Sequence, residues 1–257
     1  MLPATMPRSA LEPAAMATAG NGGAVAAPAW SADVSVLLLL QLRPTALGWG
    51  WSRVALGDRP LRGVPGLRFA RALGSGHNGG FGLRPSLTRQ GLFACFDSLH
   101  AADAFVAGER VRAYRDHARE LLVVTLRATS CRGHWDGQAI GVGAPGVAPG
   151  EPLAALTRAA IRPAAAAAFW ARAPAAQAGL ESAPGCRLAA GLGEAPLLRQ
   201  ATFSLWDCVA AMDAYARIGA HAAAIADAHR LGFFAESMFV RFRPLALQGV
   251  WKGVRHG

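Results

Sequence analysis

The stretch Arg89-Gln90-Gly91-Leu92-Phe93-Ala94-Cys95-Phe96-Asp97 returns, altered but in order, as Arg199-Gln200-Ala201-Thr202-Phe203-Ser204-Leu205-Trp206-Asp207. The correspondence continues from Asp103-Ala104-Phe105 to Asp213-Ala214-Tyr215. Beyond that the spacing grows by six, pairing Glu120, Val124 and Arg127 with Glu236, Val240 and Arg243, and Gly133-His134-Trp135-Asp136-Gly137 with Gly249-Val250-Trp251-Lys252-Gly253. Upstream, Trp51-Ser52-Arg53 echoes Trp170-Ala171-Arg172. An ordered series of matches marks a tandem duplication, and a repeated unit hides its apolar face by packing against its neighbour. The chain is therefore expected to fold as two copies of one unit around a shared core.

Periodicity supplies the unit. In the first copy, short apolar runs predict strands over 35–42, 67–73, 88–96 and 120–129, with a helix over 45–56. A further helix starts at an Asp97 or Ser98 cap and runs to about Val106, followed by helical turns over 111–118. The second copy predicts strands over 153–161, 186–192, 198–206 and 237–244, with helices over 164–173 and 207–230. The order is β-α-β-β-α-β, the split βαβ or ferredoxin-like arrangement. The expected fold class is α+β, with two tandem ferredoxin-like units whose sheets meet in an intrachain barrel of the dimeric α/β type.

Composition agrees with a protein that builds a real core. The 257 residues are 53% hydrophobic, enough for one large domain or two small ones. Residues 1–31, rich in Ala, Pro and Gly, read as a disordered tail, leaving repeats over 32–142 and 143–257. The net charge is +10, but Lys252 is the sole lysine and the arginines fall singly between apolar residues, as in Arg68-Phe69-Ala70-Arg71. That pattern lacks the runs or stripes of a nucleic-acid binder, so no nucleic-acid partner is expected. Cys95, Cys131, Cys186 and Cys208 form no C-x-x-C pair and read as buried thiols. The apolar run at 34–40 falls short of the ~20 residues that span a bilayer. A soluble cytoplasmic protein is expected, with membrane contact limited to a surface.

Function is sought where the copies differ. The added residues include Gly219-Ala220-His221-Ala222-Ala223-Ala224-Ile225, which has no counterpart in the first copy. A histidine among small residues leaves room for a flat macrocycle, with a capping or surface histidine as the alternative. His229, near the same helix face, is a competing ligand. The loop Gly74-Ser75-Gly76-His77-Asn78-Gly79-Gly80-Phe81 is longer than its counterpart and reads either as a plain hairpin or as a ligand loop. It matches neither the P-loop nor the Rossmann pattern. No G-x-S-x-G elbow, H-E-x-x-H helix or ordered carboxylate set occurs, which disfavours hydrolysis and phosphoryl transfer. Seven Trp and eleven Phe against two Tyr favour an apolar pocket.

The second copy also resembles a known family. The segment 152–161, Phe169-Trp170-Ala171-Arg172, Gly191-Leu192-Gly193-Glu194-Ala195-Pro196, Gln200–Trp206, Phe239-Val240-Arg241-Phe242 and Gly249–Gly253 resemble the spheroidene monooxygenases of carotenoid biosynthesis. In the first half the likeness thins to Gly74-Ser75-Gly76, Gly80-Phe81 and Trp135-Asp136-Gly137. The resemblance implies a monooxygenase that introduces a keto oxygen into an acyclic carotenoid, using dioxygen and reduced ferredoxin at a haem. It further implies His221 as the metal ligand. Arg158 and Arg172 become candidates to pair with haem propionates, Arg158 having a structural ion pair as its alternative role. Trp170 and Phe169 would wall the apolar site. Two other readings remain open at this point. One is a haem enzyme of similar barrel fold with peroxidase, haem-degrading or chlorite-dismutase-like chemistry, and the other is a non-enzymatic domain for a hydrophobic ligand.

Overall fold

The computed structural model describes residues 33–173, 179–195, 197–217 and 219–257, without the side chains of Ala220, His221, Ala224, Ile225 and His229. The expectation for residues 1–31 thus falls outside the described residues, except that Asp33 already precedes the first strand. Strands β1 (Val34–Leu42), β2 (Leu67–Gly76), β3 (Pro85–Phe96) and β4 (Ala118–Gly133) come first, with α1 (Leu47–Leu56) after β1 and α2 (Leu99–Ala107) and α3 (Glu109–His117) after β3. Strands β5 (Leu153–Ile161), β6 (Cys186–Ala195), β7 (Arg199–Trp206) and β8 (Phe234–Trp251) follow, with α4 (Ala166–Trp170), α5 (Val209–Arg217), α6 (Gly219–Arg230) and a final short strand β9 (Val254–His256). The predicted cap holds: the Ala101 backbone N–H donates to the Ser98 hydroxyl at 3.2 Å, opening α2.

Every pairing is antiparallel, in the order β4-β1-β3-β2-β6-β7-β5-β8, and β4 pairs with β8 to close an eight-stranded barrel. The registers carry the correspondence of the repeat. Val34 pairs with Phe96 as Leu153 does with Trp206, and bulges fall at Leu67/Phe69 and Cys186/Leu188. Both seams place equivalent residues opposite each other, Gly74 against Gly193 and Arg127 against Arg243. Each of those arginines turns to its own acid, Arg127 to Asp33 and Arg243 to Glu151, both at 3.3 Å.

Strands β4 and β8 run well beyond the predicted 120–129 and 237–244, because each leaves its own sheet and continues along the other. The bend this requires is made by bulges, where Thr129 and Leu245 fall out of the ladder register, the Thr129 hydroxyl donates to the Arg241 carbonyl at 3.1 Å and Pro244 contributes no N–H. A pattern search that stops at a proline misses this continuation.

Alternation sorts side chains to the two faces. Leu37, Leu39, Phe93, Leu126, Leu156, Phe203, Val240 and Phe242 fill the barrel interior as one cluster drawn from both halves. Outside, the first half is sealed by Val34, Val36, Leu38, Leu40 and Leu42 against Ala102 and Phe105 of α2 and Val111 and Tyr114 of α3. Among the described residues, the corresponding outer layer of the second half centres on Leu153, Ala155, Ala189, Trp206 and Met212 and is the thinner of the two.

Candidate functional site

The thin outer layer has a direct cause in sequence. Through the matched registers, Val36, Leu38 and Leu40 of β1 correspond to Ala155, Thr157 and Ala159 of β5, while Leu92, Ala72 and Leu121 correspond to Thr202, Gly191 and Ser237. The three β1 side chains are fully buried, and Leu92 nearly so. Thr157, in the middle of a central strand, is exposed, and Thr202 and Ser237 are half-buried. A mid-sheet residue reaches solvent only where the layer above stands off, so the second half carries a groove where the first half is packed solid.

Cross-strand pairing gives the groove its floor. Phe239, Thr157, Thr202 and Gly191 form one row across β8, β5, β7 and β6. Arg241, Ala155, Ser204 and Ala189 form the next, with Ser237, Ala159 and Gln200 on the other side. Along β5 the outward positions Ala155, Thr157, Ala159 and Ile161 span roughly 20 Å at the ~3.3 Å rise of a strand residue, with Thr157 exposed and the other three buried. Among the described residues neither threonine hydroxyl has a hydrogen-bond partner, so both are available to a ligand.

Three elements bound the groove. At one end the glycine-rich loop of the first half folds over β6: the Ser75 hydroxyl donates to the Gly191 carbonyl at 2.6 Å, and Phe81 joins the outer apolar cluster. A Cβ on Gly191 would lie 2.2 Å from the Gly80 carbonyl oxygen and 2.9 Å from the Phe81 ring, so only glycine admits this contact. The loop of 74–81 is therefore a wall of the second-half groove, which neither hairpin nor ligand-loop reading anticipates. Along the α5 side, Arg241 donates to Asp213 at 2.9 Å and Tyr215 lies 5.6 Å from the Trp206 ring. At the far end Phe169 sits within 6.3 Å of Phe233 and 5.9 Å of Phe234.

The residues singled out by sequence are not gathered together. His221 lies in the first turn of α6 and His229 near its end, with both side chains outside the described residues. Arg172 fastens α6 to α4 by donating to Asp227 at 3.0 Å and to the Ala168 carbonyl at 2.8 Å. Trp170, half-buried, donates its indole N–H to the Leu197 carbonyl at 2.9 Å, as Trp51 does to Leu87 at 3.1 Å.

Arg158 sits on the opposite face of β5, inside the barrel, with its side chain 1% exposed. It pairs with Glu236, with Asp136 at 3.2 Å and with Glu194 at 3.5 Å, beneath the Trp135 ring. Of its two roles, the ion pair describes this geometry, since three carboxylates already occupy the guanidinium. Burial alone would raise the Asp136 carboxyl, yet the hydrogen bond from Arg71 and the charges of Arg71, Arg158 and Arg199 hold it below the ordinary value.

Among the described residues no three His, Cys, Asp or Glu side chains converge as a metal site. Burial pushes the Cys95 thiol up to about 12 and the Cys186 thiol up to about 11, which disfavours thiolate. Open depressions of about 310 Å³ beside Arg115, Arg119 and Gln248, and of about 570 Å³ beside Val147, Asp213 and Arg217, lie off the groove floor. No helix of the described residues is long and apolar enough to cross a membrane.

Thr157, Thr202, Gly191, Phe239 and Arg241 escape a motif search because each is ordinary by itself. The signal that finds them is the mismatch between Val34–Leu42 and Leu153–Ile161 once the copies are aligned strand by strand.

No family model matches the chain. It is 59% identical over 226 residues to a spheroidene monooxygenase of Rubrivivax gelatinosus, covering 88% of this chain and 87% of that one. Against the spheroidene monooxygenase of Rhodobacter capsulatus it is 38% identical over 215 residues, covering 81% and 88%. Among solved structures it is similar to an aldoxime dehydratase, with a TM-score of 0.51 at 12% identity over 82% of this chain and 81% of that one. An aldoxime dehydratase in complex with butyraldoxime gives a TM-score of 0.50 at 13% identity, over 82% and 79%. Likeness at such identity speaks for the barrel fold alone. The two curated relatives carry more, because they match nearly end to end: the chain belongs to the spheroidene monooxygenase family.

Proposed function

We propose that this protein is a monooxygenase that introduces a keto oxygen into an acyclic carotenoid such as spheroidene, drawing on dioxygen and reduced ferredoxin, with haem and substrate in the groove of the second half. The observation that carries this reading is exposed Thr157 at the centre of a floor of Ala155, Ala159, Thr202 and Gly191. A floor of small side chains suits a flat ring system or a rod-like polyene, and its length suits an extended substrate. The relatives' name supplies the carotenoid, and the groove supplies a place for it. The halves themselves read as ferredoxin-like units, supported by their matched registers and bulges.

Haem is proposed on the resemblance to the family and on the small side chains of the floor, with His221 of α6 as the ligand and His229 as its competitor. When bound, haem supplies a redox iron that takes up external electrons and activates dioxygen. The chain's own part is to bind, orient and exclude water. Phe81, Phe169 and Phe239 give apolar contact to the polyene, and the Thr157 and Thr202 hydroxyls hold the polar terminus next to which the ketone forms. Arg172, through Asp227, keeps α6 in place. Arginine on the surface suits an acidic ferredoxin.

Expression in cells that accumulate spheroidene tests the proposal. A red-shifted carotenoid whose mass reflects two hydrogens replaced by one oxygen is the expected product. Haem uptake without that product would move the protein to another haem chemistry, and carotenoid retained unchanged without haem would make it a binding domain.

A further inference from the structure

The hairpin that walls the groove with Phe81 also shows solvent a distinctly apolar face. Leu83 and Leu87 are 58% and 65% exposed, ahead of every other large hydrophobic side chain described, and Pro85 between them is exposed too. Alternation puts Pro85 and Leu87 on one face of β3, while Ser86 turns inward and is buried. Trp51, 36% exposed, lies against this face with its indole N–H on the Leu87 carbonyl. An indole that is greasy on one side and hydrogen-bonded on the other is the usual tenant of a membrane–water boundary.

Charge selects the occupant. Arg84 on the hairpin is exposed and has no acidic partner among the described residues. Exposed apolar side chains with an unpaired arginine among them complement a surface of anionic lipid.

We infer that the face made by Leu83, Pro85, Leu87 and Trp51 docks on an anionic bilayer surface. Resting on the proposed function, this also gives a route for the substrate, because Phe81 at the groove and Leu83 at the surface are two residues apart on one hairpin. A carotenoid leaving the bilayer at this hairpin would pass from lipid to groove without crossing water.

The test is flotation of the full chain with vesicles of phosphatidylcholine, alone or mixed with phosphatidylglycerol, and needs neither haem nor carotenoid. Its outcome is therefore separate from that of the proposed chemistry. Binding is expected to the mixed vesicles only, to fall as salt rises, to drop about fivefold in Arg84→Gln, and to vanish in Leu83→Glu/Leu87→Glu with circular dichroism unchanged. Equal binding by the double glutamate variant would overturn the inference, as would failure to bind anionic vesicles. Self-association without vesicles that the same variant abolishes would also overturn it, assigning the face to a second copy of the chain.

Discussion

Replacing Thr157 by leucine would restore at the groove floor the residue that stands at the equivalent point of the first half. Thr157 is exposed and its hydroxyl has no partner among the described residues, so the change breaks no internal bond. Full burial of a leucine side chain is worth about 1.5–3 kcal/mol. Here the new side chain closes only partly onto Ala155, Ala159 and Thr202, so stability should hold or rise by less than about 1 kcal/mol. For a ligand lying on that floor the bulkier leucine side chain is an obstruction, costing roughly 1–3 kcal/mol of binding, about fivefold to more than a hundredfold. The mirrored change, Leu38→Thr, reverses both effects. Leu38 is fully buried, and a polar, smaller side chain there should cost about 2–4 kcal/mol. That lowers the melting temperature by several degrees while sparing turnover in the protein that remains folded. The assay is ketocarotenoid yield per folded protein in spheroidene-accumulating cells, read beside thermal melts. Thr157→Leu should lose product and keep its melt; Leu38→Thr should keep product and lose its melt. Full product from Thr157→Leu would refute the placement of the substrate, and loss of product from folded Leu38→Thr would put the site in the wrong half.

Other consequences follow from the same contacts. Gly191→Ala sets a methyl group against the Gly80 carbonyl and the Phe81 ring, so the hairpin must lift; proteolysis within 76–85 should quicken and product yield fall, with the barrel's circular dichroism unchanged. Arg158→Met takes the buried guanidinium from Glu236, while Arg71 and Arg199 still meet Asp136 and Glu194, a loss of about 3 kcal/mol in urea unfolding; because the residue lies inside the barrel, haem uptake by the folded fraction should not change. Asp136 has a folded value below that of the unfolded chain, so its contribution is present above about pH 4 and is lost as pH falls through the depressed folded value. The urea midpoint of the wild type should drop in that acid range more steeply than that of Asp136→Asn, a residue that tolerates the positive φ found there.

Sequence and structure meet most closely where one copy checks the other. The strand over 153–161 coincides with β5, but the six added residues fall at the end of α6 and in the turn 231–233, so Gly219–Ile225, expected to have no counterpart, corresponds to Glu109–Arg115 of α3. The stretches of β4 and β8 beyond residues 129 and 244 are illegible, because strands that cross a seam are held by partners far away in the chain rather than by their own pattern. The site shows the same division. A lone histidine among alanines draws the eye, whereas Thr157 is just a threonine until Leu38 is laid beside it. Arg158 misleads for a related reason: its neighbours in sequence do not tell that Asp136, Glu194 and Glu236 converge on it from three other segments.

In the proposed function the second-half groove holds the haem through α6. Titrating haem into the purified chain and following the Soret band tests it most directly, with His221→Ala, His229→Ala and Thr157→Leu measured in parallel. One haem per chain is expected in the wild type and in His229→Ala, no ligated band in His221→Ala, and weakened uptake in Thr157→Leu. An unaltered Soret band in both His221→Ala and Thr157→Leu, or no uptake by the wild type, would contradict it.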